Sequence, residues 1–222
     1  MKIIQINYIL RVAVVIVIAV FVVSSCNTNL PRENTFEPLE IPTPEPVTLV
    51  TTESTISKLI EDLSSPNAED RINAAYYLKL MGADAELAIP ALIDNLNYQG
   101  VFEVRMAAVE ALGAIGPPAK IAVPDLVSLL QTDFVHVQRE AATALGQINS
   151  LVAVPYLAEA LYDADKGTAI NAAKSLGIIT GQDFPEMYSV GATLDDNGIP
   201  IVVVAAREWW IMHGQHKDWQ DS

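Results

Sequence analysis

Only one cysteine, Cys26, stands among 222 residues, which excludes an internal disulfide. Positive charge is scarce too. Thirteen Lys and Arg face 27 Asp and Glu, a formal charge of −14. Lys2 and Arg11 are the only charged groups of the first 26 residues, so the rest sets 11 basic against 27 acidic groups, or −16. That balance excludes nucleic acid as a partner, because counterion release from a phosphate backbone needs a concentrated basic stripe, and an anionic lipid surface repels the chain for the same reason. Apolar runs are short: the longest, Val12 to Val23, has twelve residues, against the roughly 20 of a spanning helix. There is no Gly-x-x-x-x-Gly-Lys loop, no Gly-x-Ser-x-Gly elbow and no His-Glu-x-x-His pair, so phosphate cradling, serine hydrolysis and zincin chemistry have no signature here. What is abundant is apolar surface, 51% of residues with 18% charged, enough for one or two compact units.

The amino terminus reads as a targeting segment. A basic stretch carrying Lys2 and Arg11 precedes the twelve apolar residues, and Ser24, Ser25 and Cys26 follow, the order of a secretory n-region, h-region and processing site. Val23-Ser24-Ser25-Cys26 resembles the lipobox of bacterial lipoproteins, with valine in place of the commoner leucine. The resemblance implies a signal peptide over 1–25 and cleavage before Cys26. Cys26 would then carry diacyl and N-acyl chains such as palmitate, in a lipid-anchored protein of the bacterial cell envelope facing the periplasm or exterior. Two or more chains anchor firmly at about 0.8 kcal/mol per buried CH₂. The alternative is an ordinary signal peptide or uncleaved anchor with an incidental cysteine. Residues 26–54 then form a linker with five prolines, Pro31, Pro38, Pro42, Pro44 and Pro46, and no glycine. In polyproline geometry it spans up to roughly 90 Å at about 3.1 to 3.3 Å per residue. A strand over Thr48 to Thr52 is the competing reading there.

Self-similarity is the strongest signal in the chain. Ala88-Ile89-Pro90-Ala91-Leu92 returns as Ala122-Val123-Pro124-Asp125-Leu126 and as Ala153-Val154-Pro155-Tyr156-Leu157, each a helix start with proline where its missing N–H costs nothing. Between them, Val104 to Gly116 returns as Val137 to Asn149, with weaker copies at Asp70 to Gly82 and Thr168 to Gly181. Leu78, Leu112, Leu145 and Leu176 anchor the four copies, 34, 33 and 31 residues apart. This pattern resembles the HEAT-like repeats of the PBS-lyase type, with an Ile-Pro first helix and a Val-Arg-x-x-Ala-Ala-x-Ala-Leu-Gly second helix. The resemblance implies an all-α, right-handed α-α superhelix of about four repeats over 55–183. Helix pairs with one apolar stripe cannot bury it alone, which points the same way. Gly82, Gly116 and Gly146 are expected at or near helix stops.

The family also implies an arginine near the start of each second helix that bridges to the next unit. Arg71 and Arg105 occupy that place, but the third unit has Gln138 with Arg139 one position later and the fourth has Ala169, so two rungs are expected. Residues 184–222 are expected to cap the stack. Gly181-Gln182-Asp183-Phe184 followed by Trp209-Trp210 resembles the ending of many HEAT-like chains, and Pro200 favours a helix over Ile201 to Met212. The competing reading is a hairpin, Tyr188 to Leu194 against Ile199 to Val204, around Asn197-Gly198.

No catalytic residue, metal site or cofactor is assigned. His136, His213 and His216 lack the partners of a four-ligand zinc site, and an acylated Cys26 leaves no thiol nucleophile. Some HEAT-like chains resemble phycobilin lyases, which keeps a lyase subunit as one alternative, and a structural spacer without specific ligand as another. The expected role is a non-enzymatic protein-binding scaffold or assembly factor. Second helices of such a stack line its concave face, and the register two and five places before each anchoring leucine selects, beside Ala107, the seven candidate contacts Asn73, Tyr76, Glu110, Glu140, Thr143, Asn171 and Lys174. Four helices about 8 to 10 Å apart make a groove of about 35 Å for a protein partner.

Overall fold

The structure, a computed structural model, describes residues 52–184, 194–195 and 198–220. The signal segment, Cys26, the Pro-rich arm up to residue 51 and residues 185–193 lie outside them. Four helix pairs follow one another: α1 Thr52–Asp62 with α2 Ala68–Met81, α3 Ile89–Leu96 with α4 Phe102–Ile115, α5 Val123–Thr132 with α6 Val135–Ile148, and α7 Val154–Ala160 with α8 Lys166–Thr180. A last helix, α9 Ile201–Trp209, follows. Among the described residues this is an all-α, HEAT-like superhelix.

Local chemistry sets the element boundaries. Pro90, Pro124 and Pro155 sit in the first turns of α3, α5 and α7, each behind a short 3₁₀ segment that brings the chain round. The Asn67 side chain accepts the Glu69 N–H at 3.1 Å at the start of α2, and Asp165 accepts the Thr168 N–H at 2.7 Å at the start of α8, satisfying donors that a helix terminus leaves free. The second helices end on residues of positive φ: Gly82 (57°), Gly116 (77°), Asn149 (56°) and Gly181 (68°). The expectation for Gly146 is thus corrected. It lies inside α6, and Asn149 is the stop, taking up the left-handed conformation that asparagine tolerates best after glycine.

The core is one apolar seam between the two helices of each pair, continued from pair to pair. Leu78, Leu112, Leu145 and Leu176 are fully buried in it. Consecutive second helices pack on one another along their length, whereas consecutive first helices touch marginally. A stack bends toward its tighter layer, so α2, α4, α6 and α8 line the inner face. Small residues permit that tightness: Ala144 Cα would stand 3.1 Å from a Cβ on Gly113.

Arginines lace the pairs together. Arg71 donates to Leu63 O and Ser65 O, both at 2.6 Å, and reaches Asn95 Oδ1 of the next pair at 2.9 Å. Arg105 donates to Tyr98 O at 2.8 Å and grips Asp133 at the end of α5 with two bonds of 2.5 and 2.7 Å. The expected end of the ladder at two rungs does not occur. Arg139 grips Asp165 with bonds of 2.7 and 2.6 Å. Its offset of one position is matched by its acid: Asp133 stands twelve residues before Leu145, Asp165 eleven before Leu176. Arginine and acid have moved together, so the bridge survives.

The two ends of the stack differ from its middle. Val104, Val137 and Thr168 are buried under the preceding pair, and the matching residue of α2 is the exposed Asp70. Likewise Ala111, Ala144 and Ser175 are buried, and their counterpart Tyr77 is 56% exposed. The first pair therefore presents a polar outer face, as a terminal repeat needs. At the other end α9 lies on α8, burying Val203 and Ala206. Trp209 meets Phe184 edge-on at 5.9 Å, and Trp209, Trp210 and Trp219 all pack against the core. The helix reading of this segment holds from Ile201, with Pro200 just before it, and a π-helical turn Trp210–Gly214 follows. The hairpin reduces to one turn with a single Leu194–Pro200 bridge, and its residues 188–193 lie outside the described ones.

Candidate functional site

Seen along the inner face, the seven register-selected residues separate into four groups. Glu110 on α4 and Glu140 and Thr143 on α6 converge on one pocket, with Lys79, Ala114, Ala144 and Gln147 as its other walls. Lys174 lies instead by a second hollow, between the end of α8 and Phe184 and Val202 of the cap. Asn73 and Tyr76 are exposed on α2, where Tyr76 meets Tyr77 edge-on at 5.8 Å. Asn171 is half-buried and donates to Arg139 O at 3.1 Å, so its amide ties α8 to α6.

The central pocket is electrostatically asymmetric. Lys79 crosses from α2 to Glu110 at 2.7 Å, and this bond, opposed by burial, holds the lysine above its ordinary pKa. Among the described residues Glu140 has no such donor. Burial, then the neighbouring Glu110 charge, push its carboxyl above the usual range, and Lys79 offsets this only in part. The pocket holds about 90 Å³, well below the roughly 300 to 1,000 Å³ of small-molecule sites, and is suited to one side chain. Thr143 donates to Arg139 O at 3.1 Å, leaving its oxygen lone pairs toward other donors.

Register reading missed part of this surface. Lys79 follows an anchoring leucine where the later pairs have glycine, Gly113, Gly146 and Gly177, and two places after the leucines stand Leu80 and Ile178, 64% and 60% exposed, with Gln147 between them in the series. Extending the register by one turn, from two places before each leucine to two after, selects that row. A larger hollow at the loop edge is lined by Arg71, Asn95 and Tyr98. Its polar groups are already engaged: Asn95 donates to Leu63 O and Ala91 O at 3.0 and 2.8 Å and accepts from Arg71. Among the described residues no three metal-ligating side chains come together.

The HEAT repeats family matches residues 56–135 and again 123–187, more than half of the chain. The chain belongs to the HEAT repeat family. Among solved structures, this HEAT repeat chain is similar to an engineered protein at 25% identity over 73% of each chain, with a TM-score of 0.50. A second engineered protein, also 25% identical, aligns over 69% of this chain and 41% of its own length at a TM-score of 0.48. No curated protein matches the chain. The HEAT architecture is that of a protein-interaction solenoid, and its inner face carries the pocket described above.

Proposed function

We propose that this chain is a membrane-tethered, non-enzymatic scaffold or assembly factor of the bacterial envelope, anchored through acylated Cys26 and holding a protein partner on its inner face. One observation carries the binding part. The second helices form a continuous surface on which the exposed Tyr76, Leu80 and Ile178 flank a half-buried polar pocket at Glu110, Glu140 and Thr143. Apolar anchors around a few fixed polar groups are how a groove selects a peptide or helix. The tether rests on sequence: the lipobox-like Val23-Ser24-Ser25-Cys26 and the Pro-rich arm that would hold the repeats clear of the lipid headgroups.

The test is in-cell crosslinking and capture with wild type and with Tyr76→Ala, Glu110→Ala and Thr143→Ala combined. None of these three is fully buried, so the variant is expected to melt close to wild type while losing its captured partner. If every partner stayed bound to a folded triple variant, the inner-face reading would fail. The anchor is tested separately by the mass of membrane-extracted wild type and Cys26→Ser. A wild type beginning at Cys26 and heavier by acyl groups is expected, and an unprocessed, unacylated wild type would sink the envelope assignment.

A further inference from the structure

We infer that the inner-face pocket between α4 and α6 is a receptor for one lysine side chain of the partner, its ammonium seated against Glu140. The inference rests on the inner-face reading and adds the chemistry of what is bound. Three helices build the site: Lys79 from α2, Glu110 from α4, and Glu140, Thr143 and Gln147 from α6. Two carboxylates and one ammonium leave one negative charge over, and its location is fixed. Lys79 is committed to Glu110 at 2.7 Å, whereas no hydrogen bond from the described residues reaches Glu140.

The Glu140 carboxylate takes no protein hydrogen bond and is not sealed from solvent, so it is partial loss of water that disfavours its charge in the free protein. Burial and the Glu110 charge both press on it, and an incoming cation relieves both. Anions are repelled, and an apolar side chain would strip water from Glu140 and return nothing. The acceptors in the pocket, which holds about 90 Å³, select among cations: separate acceptors on Glu140, the Thr143 hydroxyl oxygen and the Gln147 carbonyl suit the three donors of a compact ammonium better than the planar fork of a guanidinium. A metal ion has too few free ligands there, since Glu110 is already engaged. The net −14 of the chain draws a basic partner segment toward the surface.

The probe is n-butylammonium, which reproduces the end of a lysine side chain, titrated into the full chain while the Glu140 side-chain carboxyl resonance is followed by ¹³C NMR. A saturable shift of that resonance is expected, with an apparent affinity at least about tenfold above that of n-butanol and of n-butylguanidinium, 1.4 kcal/mol or more. In Glu140→Gln the amine-induced shifts at Thr143 and Gln147 are expected to vanish. That variant removes no hydrogen bond and relieves a half-buried charge, so it should fold as wild type does and melt no lower at pH 7, and Asp125→Asn, on α5, is expected to titrate as wild type does. A linear, unsaturating response of Glu140, equal responses to amine and alcohol, or unchanged amine shifts in Glu140→Gln would each overturn the inference. A guanidinium that bound as well as the amine would overturn its lysine selectivity. Capture by the inner face is read independently, from the triple variant, so the pocket assignment can fail while the groove stands.

Discussion

Gly146 shows how little room the inner layer leaves. A Cβ there would stand 2.4 Å from Ser175 Oγ and 2.9 Å from Ser175 Cα; the hydroxyl can rotate away, but the backbone of α8 cannot. Alanine gains about 1 kcal/mol of helix propensity over glycine, and forcing two packed helices apart costs about 1 to 3 kcal/mol. Gly146→Ala is therefore expected to lower the melting temperature, and a melting temperature at or above wild type would show that α6 and α8 separate freely. The acids of the ladder set the pH dependence. Burial pushes Asp133 up, but the bonds from Arg105 and the Phe134 N–H bring it below the ordinary value; the Arg139 hydrogen bond, opposed by burial, lowers Asp165 further. Lowered folded-state values mean stability fully present above the unfolded carboxyl pKa of about 3.9 and lost as pH falls through the folded values. Urea unfolding should weaken below about pH 4, and Asp133→Asn should flatten that slope while costing about 3 kcal/mol near neutral pH, because Arg105, 13% exposed, is left with its charge unmatched. Glu140 has the opposite sign: its raised value means a cost above the folded pKa that disappears as pH falls. Glu140→Gln should thus stabilise slightly at pH 7 and not at pH 4.

At the scale of elements, α9 contributes more than an apolar lid. The second helix of the fourth pair has Ala169 eight residues after Leu161, the spacing at which Arg71 follows Leu63 and donates to its carbonyl. No arginine of α8 can serve Leu161, and Arg207 of α9 does so instead, donating to Leu161 O at 3.0 and 2.5 Å. It lies over Tyr162 at 4.5 Å as Arg71 lies over Tyr98 at 5.0 Å. Arg207→Met, which keeps the apolar stem, is expected to cost about 1 to 2 kcal/mol and to raise amide hydrogen exchange in α9 and α8 but not in α2 and α4. Equal exchange in all four would show that the cap is held by its tryptophans alone. These particulars also mark what the sequence could carry. The helix pairs were legible because leucine, alanine and proline recur at a fixed period, and the inner-face register followed from it. The role of Gly146 was not, because the interior Leu-Gly pairs at 112–113, 145–146 and 176–177 look like stops, while the true stop is four residues after the leucine in the first three copies and asparagine in one. Arg207 replaces a group 38 residues earlier, a substitution that exists only once α9 has folded back. The Lys79–Glu110 bond that leaves Glu140 unmatched is likewise a product of the inter-helix crossing, invisible to a register count.

Among the described residues the extensive helix contacts run between neighbours: α2 packs on α4, α4 on α6, α6 on α8 and α8 on α9. Stability is then a sum of pair and interface terms in one dimension, and a lesion acts according to how many interfaces its pair makes. The first pair makes one, since its outer face carries Asp70 and Tyr77 where the inner pairs carry buried side chains; the third makes two. Leu78→Ala and Leu145→Ala each remove a fully buried leucine and should cost a similar 2 to 5 kcal/mol locally, or about 3. Their consequences should differ. With Leu78→Ala the end pair is expected to fray first, exchanging amide hydrogens in α1 and α2 faster while α6 to α9 keep their protection, with an early shoulder in urea unfolding. With Leu145→Ala the stack loses an interface on each side of α6, and a single transition at lower urea is expected, exposing α4 through α8 together. If Leu78→Ala instead speeds exchange equally from α2 to α9, the four pairs fold as one unit, and binding at the Glu110–Glu140 pocket would then be coupled to the end of the stack as tightly as to its middle.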